Sequence, residues 1–120
     1  MMENSSFPRE ERLHQSRDIR WVIETGQKEV SPTMILYFQA KEGLKRQAAF
    51  ITSKKVGSAL RRNRVRRWMR EAFRRQKNLF ENEKWLVFIA RAIPEKNASY
   101  SKIFEEMKEF AKKIGNDQSK

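Results

Sequence analysis

The chain has 120 residues with 27 basic and 15 acidic side chains, which gives a formal net charge of +12. Its length and 38% hydrophobic content predict a single domain over residues 1–120, ordered over about 9–114 with flexible termini. The absence of cysteine excludes a disulfide framework and a cysteine-ligated zinc site. No signal-peptide core and no run of about 18 apolar residues occurs, so we expect a soluble, cytoplasmic protein.

The first half of the chain predicts a helix followed by two strands. A helix beginning at Ser16 or Asp18 is expected to end at Gly26. Residues 34–40 are rich in β-forming side chains and predict a strand. Residues 47–53 predict its antiparallel hairpin partner, because the connection between the two strands is short and polar.

Residues 61–75 carry eight arginines and a single acid, Glu71. Apolar residues recur there at i, i+3, i+4 and i+7, the spacing of one helical stripe: Val65, Trp68, Met69 and Ala72. The opposite side carries an arginine row, Arg62, Arg66, Arg70 and Arg74, with Asn63 and Arg67 beside it and Arg64 and Arg75 on the other flank of the stripe. Because these like charges repel each other, the segment predicts a helix that packs on a core and binds a polyanion. We expect Ser58 to cap this helix and the helix to end near Asn78.

The remaining chain predicts one more strand and one more helix. Residues 84–91 are the most hydrophobic run and predict a central strand, ended by Pro94. Residues 99–114 predict a helix with Gly115 as its stop. The order helix, strands, helix, strand, helix predicts an α+β fold, a small central β-sheet with three helices packed on it.

The residues that an unaided nuclease needs are missing, namely clustered carboxylates for metal ions or histidines for proton transfer. The only histidine, His14, is expected to be an exposed polar residue, and the acids are scattered. No glycine-rich phosphate loop or metal-spaced histidine pair occurs. The sequence therefore identifies no catalytic residue, no cofactor held by the protein and no metal ligand.

The aromatic residues divide into two groups. Core packing is the favoured interpretation for Trp68, Phe73, Trp85 and Phe88. Strand alternation places Tyr37 on the more polar side of its strand, with Ile35 and Gln39. Base stacking and a half-buried structural role both remain open for Tyr37.

Two runs together resemble the signature of the bacterial ribonuclease P protein component. Residues 53–59 read Ser-Lys-Lys-Val-Gly-Ser-Ala, and residues 62–73 read Arg-Asn-Arg-Val-Arg-Arg-Trp-Met-Arg-Glu-Ala-Phe. The family pattern is Ser-Lys-Lys-(Val or Ile)-Gly, then Arg-Asn-Arg-x-(Lys or Arg)-Arg-x-x-Arg. The resemblance covers roughly residues 9–114, including Arg12-Leu13 at the opening of the first helix and the strand segments 35–37 and 89–91.

The resemblance implies a ribonucleoprotein endonuclease that removes the 5′ leader of precursor transfer RNA, with catalytic Mg²⁺ on its RNA subunit. It also implies that the arginine-rich helix forms a left-handed crossover between parallel strands, an exception to the usual rule. The motif positions expected to contact the RNA subunit are Lys54, Lys55, Arg62, Asn63, Arg64, Arg66, Arg67 and Arg70.

Three positions match the leader-binding cleft of the family: Tyr37, Ile19 and Ile23. The family usually has phenylalanine where this chain has Ile19 and Ile23, and an aliphatic side chain cannot stack on a base as a ring can. Trp21 lies nearby in the sequence and is expected to point into the core or toward solvent.

Two other functional classes remain open. A stand-alone basic module would bind many RNAs or DNA comparably and would not stimulate cleavage, although no heptad repeat follows residue 75 to make a leucine zipper. A membrane-surface protein would need an exposed apolar stripe. The expected partners are ribonuclease P RNA and precursor transfer RNA, with no membrane and no obligate protein partner.

Overall fold

The computed structural model describes the backbone of residues 7–118 and the side chains of residues 7–115. Its elements are α1 (Ser16–Thr25), β1 (Gln27–Val30), β2 (Met34–Ala40), β3 (Gln47–Ile51), α2 (Ala59–Gln76), β4 (Lys84–Ala90) and α3 (Tyr100–Gln118). Within the described residues, one short 3₁₀ turn precedes α1, at Arg9–Glu11, and three lie between later elements, at Lys54–Val56, Lys77–Leu79 and Glu95–Asn97. The predicted α+β class with three helices is confirmed. The predicted flexible termini lie mostly outside the described residues, but Phe7 is buried in the core.

The strand order is β1-β2-β4-β3, so the predicted hairpin between β2 and β3 is wrong. β4 lies between them, antiparallel to β2 from Met34↔Ala90 to Ala40↔Lys84 and parallel to β3. β4 is apolar on both faces and almost wholly buried, which suits the central position of a covered sheet. The connection after β2 passes over the start of β4, where the Lys41 N–H donates to the Glu83 carbonyl at 2.8 Å.

The sequence interpretation missed strand β1. Its residues, Gln27–Val30, are polar and mostly exposed, and they pair antiparallel with β2 from Gln27↔Phe38 to Val30↔Ile35. An exposed edge strand is formed by its backbone hydrogen bonds and has no buried face to produce an alternating pattern. Gly26, which precedes β1, allows the backbone to pass close to β2, because a Cβ there would lie 2.4 Å from the Phe38 carbonyl oxygen.

Helix α2 connects the parallel strands β3 and β4, as the resemblance implies. The left-handed sense of this crossover stays a prediction. The crossover carries α2 onto one face of the sheet, where α3 packs beside it.

The larger core lies between the sheet and the pair α2 and α3. Phe88 is fully buried at its centre, and its ring centroid lies 5.6 Å from Phe50, 5.8 Å from Phe73 and 6.4 Å from Phe110. Helix α3 contributes a buried stripe that runs from Ile103 to Ile114. The predicted stop at Gly115 is wrong: the helix continues to Gln118, since glycine lowers helix propensity by only about 1 kcal/mol.

A smaller core lies on the opposite face of the sheet, under α1. Val22 of α1 packs with Leu13, Ala49, Trp85 and Val87. Leu13 also donates its N–H to the Ala48 carbonyl at 2.8 Å, so this segment runs beside β3. The resemblance placed Arg12 and Leu13 at the opening of the first helix, but they precede it, because α1 begins at Ser16. The predicted helix itself is confirmed.

Candidate nucleic-acid interface

The apolar stripe of α2 is buried against the sheet. Val65, Met69 and Ala72 are at most 5% exposed, and Trp68 is half-buried against the same core. Core packing is likewise confirmed for Phe73, Trp85 and Phe88. With this stripe buried, α2 presents arginines to solvent and has no apolar face to offer a membrane surface.

Three arginines of α2 are held by hydrogen bonds from their guanidinium groups to uncharged acceptors. Arg61 donates to the Ile93 carbonyl at 2.9 Å, and Arg62 donates to the Gly57 carbonyl at 3.2 Å. Arg66 donates to the Asn63 Oδ1 at 2.7 Å and to the Thr52 Oγ1 at 2.8 Å. None of these acceptors is charged, so the arginines keep their full positive charge while their side chains are oriented.

Two more motif arginines, Arg67 and Arg70, are exposed and form no ion pair with a carboxylate of the described residues. By contrast, Arg64 pairs with Glu95 at 3.1 Å, although both side chains are substantially exposed. Exposed pairs of this kind contribute little to stability, so a phosphate could replace Glu95 as the partner of Arg64.

The single acid of the segment, Glu71, is paired with Arg74. The Arg74 Nε donates to the Glu71 Oε1 at 3.0 Å. This hydrogen bond, together with the nearby charges of Arg74 and Arg75, lowers the pKa of Glu71 below its ordinary value. The same hydrogen bond and the negative charge of Glu71 raise the pKa of Arg74. Glu71 therefore stays ionised at neutral pH and forms an ion pair with Arg74, the last arginine of the row.

The lysines of the motif lie in the turn that leads into α2. Lys54 and Lys55 are exposed on the 3₁₀ turn that ends at Gly57. Gly57 has φ 145°, and a Cβ there would lie 2.9 Å from the Arg61 Cδ, so glycine suits this position. The predicted cap is confirmed, because the Ser58 side chain accepts a hydrogen bond from the Arg61 N–H at 3.2 Å.

The three leader-cleft candidates share one face of the sheet. Ile19 and Ile23 of α1 and Tyr37 of β2 are half-buried against the smaller core, and Lys28 lies 5.9 Å from the centre of the Tyr37 ring. Trp21 points to another part of this layer, where its ring packs edge-on against Trp85 at 5.9 Å.

A groove of about 190 Å³ connects this face to the arginine row. We call it the β3–α2 groove; its walls include Ile19, Ile51, Arg66 and Arg70. Of the three cleft candidates, only Ile19 lines it. The apolar lining of the groove includes Ile19 and Ile51, and Arg66 and Arg70 give it a cationic edge.

Sequence reasoning missed two residues that position or neutralise the arginines. Thr52 lies at the end of β3 and orients Arg66 across 14 residues, a contact that requires the fold. Glu95 reaches Arg64 from the 3₁₀ turn after β4. Nothing in the local sequence around either residue predicted these contacts.

The described residues contain no group of three or more histidine, cysteine, aspartate or glutamate side chains arranged to hold a metal ion. His14 is exposed, as predicted. Within residues 7–118, no helix combines the length and apolar character needed to cross a membrane. Two helices, α2 and α3, cover one face of the sheet, and α2 is also the arginine-rich crossover helix. This arrangement defines a class of small α+β proteins that bind nucleic acid.

Comparison with known proteins identifies the particular family. The ribonuclease P family model matches residues 7–115. The ribonuclease P protein component of Petrotoga mobilis is 28% identical over 116 residues, covering 94% of this chain and 98% of the relative. That of Dictyoglomus thermophilum is 31% identical over 112 residues, covering 92% of each. The solved structure of the RNase P protein from Thermotoga maritima matches with a TM-score of 0.75 at 25% identity, covering 86% of this chain and 96% of that one.

The chain belongs to the ribonuclease P protein component family. It is therefore a protein subunit of a ribonuclease P endoribonuclease, a partner of the ribonuclease P RNA and a participant in precursor transfer RNA processing. The family predicted from residues 53–73 is confirmed.

Proposed function

We propose that this chain binds the ribonuclease P RNA through α2 and the turn before it, and holds the 5′ leader of precursor transfer RNA beside α1. The residues proposed to contact the RNA subunit are Lys54, Lys55, Arg62, Asn63, Arg64, Arg66, Arg67 and Arg70. The observation that carries the proposal is the solvent face of α2, where Arg62 and Arg66 are oriented by neutral acceptors and Arg67 and Arg70 form no ion pair among the described residues.

The leader is proposed to lie along the smaller-core face and the β3–α2 groove. Ile19 and Ile23 supply apolar contact, and Tyr37 supplies the only ring among the three cleft candidates. Stacking on an aromatic ring favours any base because every base has a π-face. With two aliphatic side chains in the cleft, we expect the leader to be gripped with little preference for base identity.

In this proposal the chemistry belongs to the RNA subunit, whose Mg²⁺ ions activate the attacking water and stabilise the leaving oxygen. The protein supplies no catalytic side chain and holds no cofactor. Its arginines lower the repulsion between the phosphates of the two RNAs, so fewer Mg²⁺ ions are needed to bring substrate and RNA subunit together. We place this activity in the cytoplasm and assign it to the chain as one RNA-binding domain without an obligate protein partner.

The test is 5′ cleavage of a precursor transfer RNA by a bacterial ribonuclease P RNA at low Mg²⁺, with and without the protein. We expect the protein to stimulate cleavage strongly. The stimulation should fall for the double variant Arg67→Ala, Arg70→Ala. The control variant Lys112→Ala, at an exposed position in the second half of α3, should retain it. Tight RNA binding without stimulation would instead indicate a stand-alone basic nucleic-acid-binding module.

A further inference from the structure

A second groove lies on the other flank of α2, between its C-terminal end and α3. Two adjoining cavities of about 390 and 220 Å³ form it, and Arg75 and Phe104 line both. We call it the α2–α3 groove. Arg75 follows Arg70 by five residues, about 140° around the helix, so this groove and the β3–α2 groove open on different sides of α2.

The walls of the α2–α3 groove combine apolar surface with positive charge, and Glu105 adds one carboxylate 3.7 Å from Lys108. Phe104 packs against Tyr100 at an interplanar angle of 48°, with ring centroids 6.0 Å apart, and Leu79 is 53% exposed at the rim. Lys108 lies 6.0 Å from the centre of the Phe104 ring, and Arg75 is exposed and forms no ion pair among the described residues. A partly exposed aromatic ring beside two cations suits a base and its phosphate.

The groove also contains a buried polar group with an unused hydrogen-bonding atom. Gln76 is 7% exposed, and its Nε2 donates to the Phe104 carbonyl at 3.1 Å. Its Oε1 has no donor within the part of the chain that the structure describes, and the Tyr100 hydroxyl in the adjoining cavity has no partner there either. A buried polar atom without a partner is unfavourable, and a ligand that supplies hydrogen bonds removes that cost.

We propose that the α2–α3 groove binds an unpaired RNA nucleotide, a second RNA-binding site outside the arginine motif. The base packs against Phe104 and Leu79, and the phosphate lies between Arg75 and Lys108. This inference rests on the proposed function in taking RNA as the ligand. The nucleotide belongs either to the ribonuclease P RNA or to the precursor transfer RNA, since both offer the same chemistry.

Photocrosslinking from a single introduced cysteine tests the site, because the natural chain has none. Asn78→Cys, at an exposed position that lines the groove, is labelled with a photoactivatable azide and assembled with both RNAs, one of them radiolabelled at a time. We expect crosslinks to unpaired nucleotides of one RNA, which identifies the source. Lys112→Cys on the outer side of α3 is expected to give none.

Lys54→Cys, on the turn before α2, separates failure of this inference from failure of the proposed function. Crosslinks from Lys54→Cys without any from Asn78→Cys would overturn the second site and leave the first intact. No crosslink from Lys54→Cys would count against the proposed function itself. Crosslinks from Asn78→Cys only to duplex nucleotides would also contradict the proposal of an unpaired base.

Salt dependence of RNA binding gives an independent test with a closely matched control. Lys108 and Lys112 each lie 3.7 Å from a glutamate three residues earlier on α3, but only Lys108 lines the groove. Arg75→Ala and Lys108→Ala are each expected to lower the slope of log K against log salt by about 0.7, the value for one single-strand phosphate contact. Lys112→Ala is expected to leave it unchanged. Equal slopes for all three variants would overturn the proposal.

Discussion

Arg66 is the member of the arginine row whose position is best defined. Its guanidinium donates to the Asn63 Oδ1 and to the Thr52 Oγ1, so one side chain links α2 to the end of β3. An arginine fixed in this way loses less conformational entropy when it binds a phosphate than an arginine free in solvent. Thr52 is therefore a positioning residue for Arg66.

The contribution of Thr52 can be separated from that of the charge. Thr52→Val keeps every charge, so we expect RNA affinity to fall about 3- to 10-fold, the loss of one hydrogen bond, with an unchanged salt slope. Arg66→Ala removes the charge and is expected to lower the slope by about one as well. Filter-binding titrations at several salt concentrations distinguish the two, and a lowered slope for Thr52→Val would refute the positioning role.

Glu71 gives the pair with Arg74 a pH dependence of defined sign. The hydrogen bond from Arg74 lowers the pKa of Glu71 in the folded protein. The pair therefore stabilises the fold above the unfolded pKa of glutamate, about 4.3, and this stabilisation is lost as pH falls through the lowered folded pKa. Both side chains are about a third to two-fifths exposed, so the effect is small.

We expect wild type to be more stable than Glu71→Gln at pH 7, and the difference to shrink as pH falls below about 4.3 and to vanish below the lowered folded pKa of Glu71. Urea unfolding from pH 7 to pH 3 measures it. Because the pair is exposed, 1 M salt is expected to reduce the difference at pH 7. A difference that persists unchanged at pH 3 would show that it does not arise from the ionised pair.

At the scale of elements, the start of α2 places the whole motif. Ser58 caps the helix, and Gly57 adopts φ 145° so that the 3₁₀ turn of Lys54 and Lys55 meets α2 without a clash. The first turn of α2 contains no acid to compensate the positive end of the helix dipole. The cap is therefore the main source of stabilisation at this end.

Ser58→Ala should lower the free energy of unfolding by about 1 kcal/mol, because the Arg61 N–H loses its acceptor. Urea denaturation followed by circular dichroism measures this loss. Ser58→Asn retains a capping oxygen and is expected to stay close to wild type. Equal destabilisation by both substitutions would indicate that the cap is not the cause.

Another contact between elements joins α3 to the turn between β1 and β2. The Glu106 Oε1 accepts hydrogen bonds from the Ser31 and Thr33 hydroxyls, both at 2.6 Å, and from the Thr33 N–H at 2.9 Å. This contact holds the first half of α3 against the β1–β2 turn, at the side of the sheet farthest from β3. It leaves the flank of α3 that faces the end of α2 as the wall of the α2–α3 groove.

For the molecule as a whole, β4 determines the arrangement of both layers. It pairs with β2 on one side and β3 on the other, and its side chains enter the larger core through Phe88 and the smaller core through Val87. The two regions proposed to bind RNA, α2 and the α1 face, thus pack on opposite sides of one strand. Loss of packing at β4 should disturb both.

Phe88→Ala is expected to cost about 3–5 kcal/mol, because the fully buried ring contacts four other phenylalanines and would leave a cavity. Thermal or urea unfolding measures it, and Phe88→Leu, which fills part of the cavity, should cost less. As a surface control, Leu44→Ala at 46% exposure should change stability by no more than about 0.5 kcal/mol. A cost for Phe88→Ala as small as that of Leu44→Ala would contradict the central role of β4.

The sequence by itself determined the features that depend on near neighbours. Helical spacing placed Val65, Met69 and Ala72 inward and the arginine row outward, and the order of residues in the motif identified the family. Strand alternation separated the faces of β2, and the apolar run 84–91 was recognised as the central strand. Each of these follows from residues within a few turns or pleats of one another.

Only the tertiary structure decided the pairings between distant segments. The short loop after β2 favoured a hairpin with β3, but β4 offers more apolar surface and lies between them. In the same way, Thr52 and Glu95 determine how Arg66 and Arg64 are held, and Gln76 and Phe104 form one groove wall from two helices. Strand partners and side-chain partners depend on which of all the available segments pair most favourably in the folded chain. Local periodicity describes one segment at a time, so it cannot predict which distant segments pair.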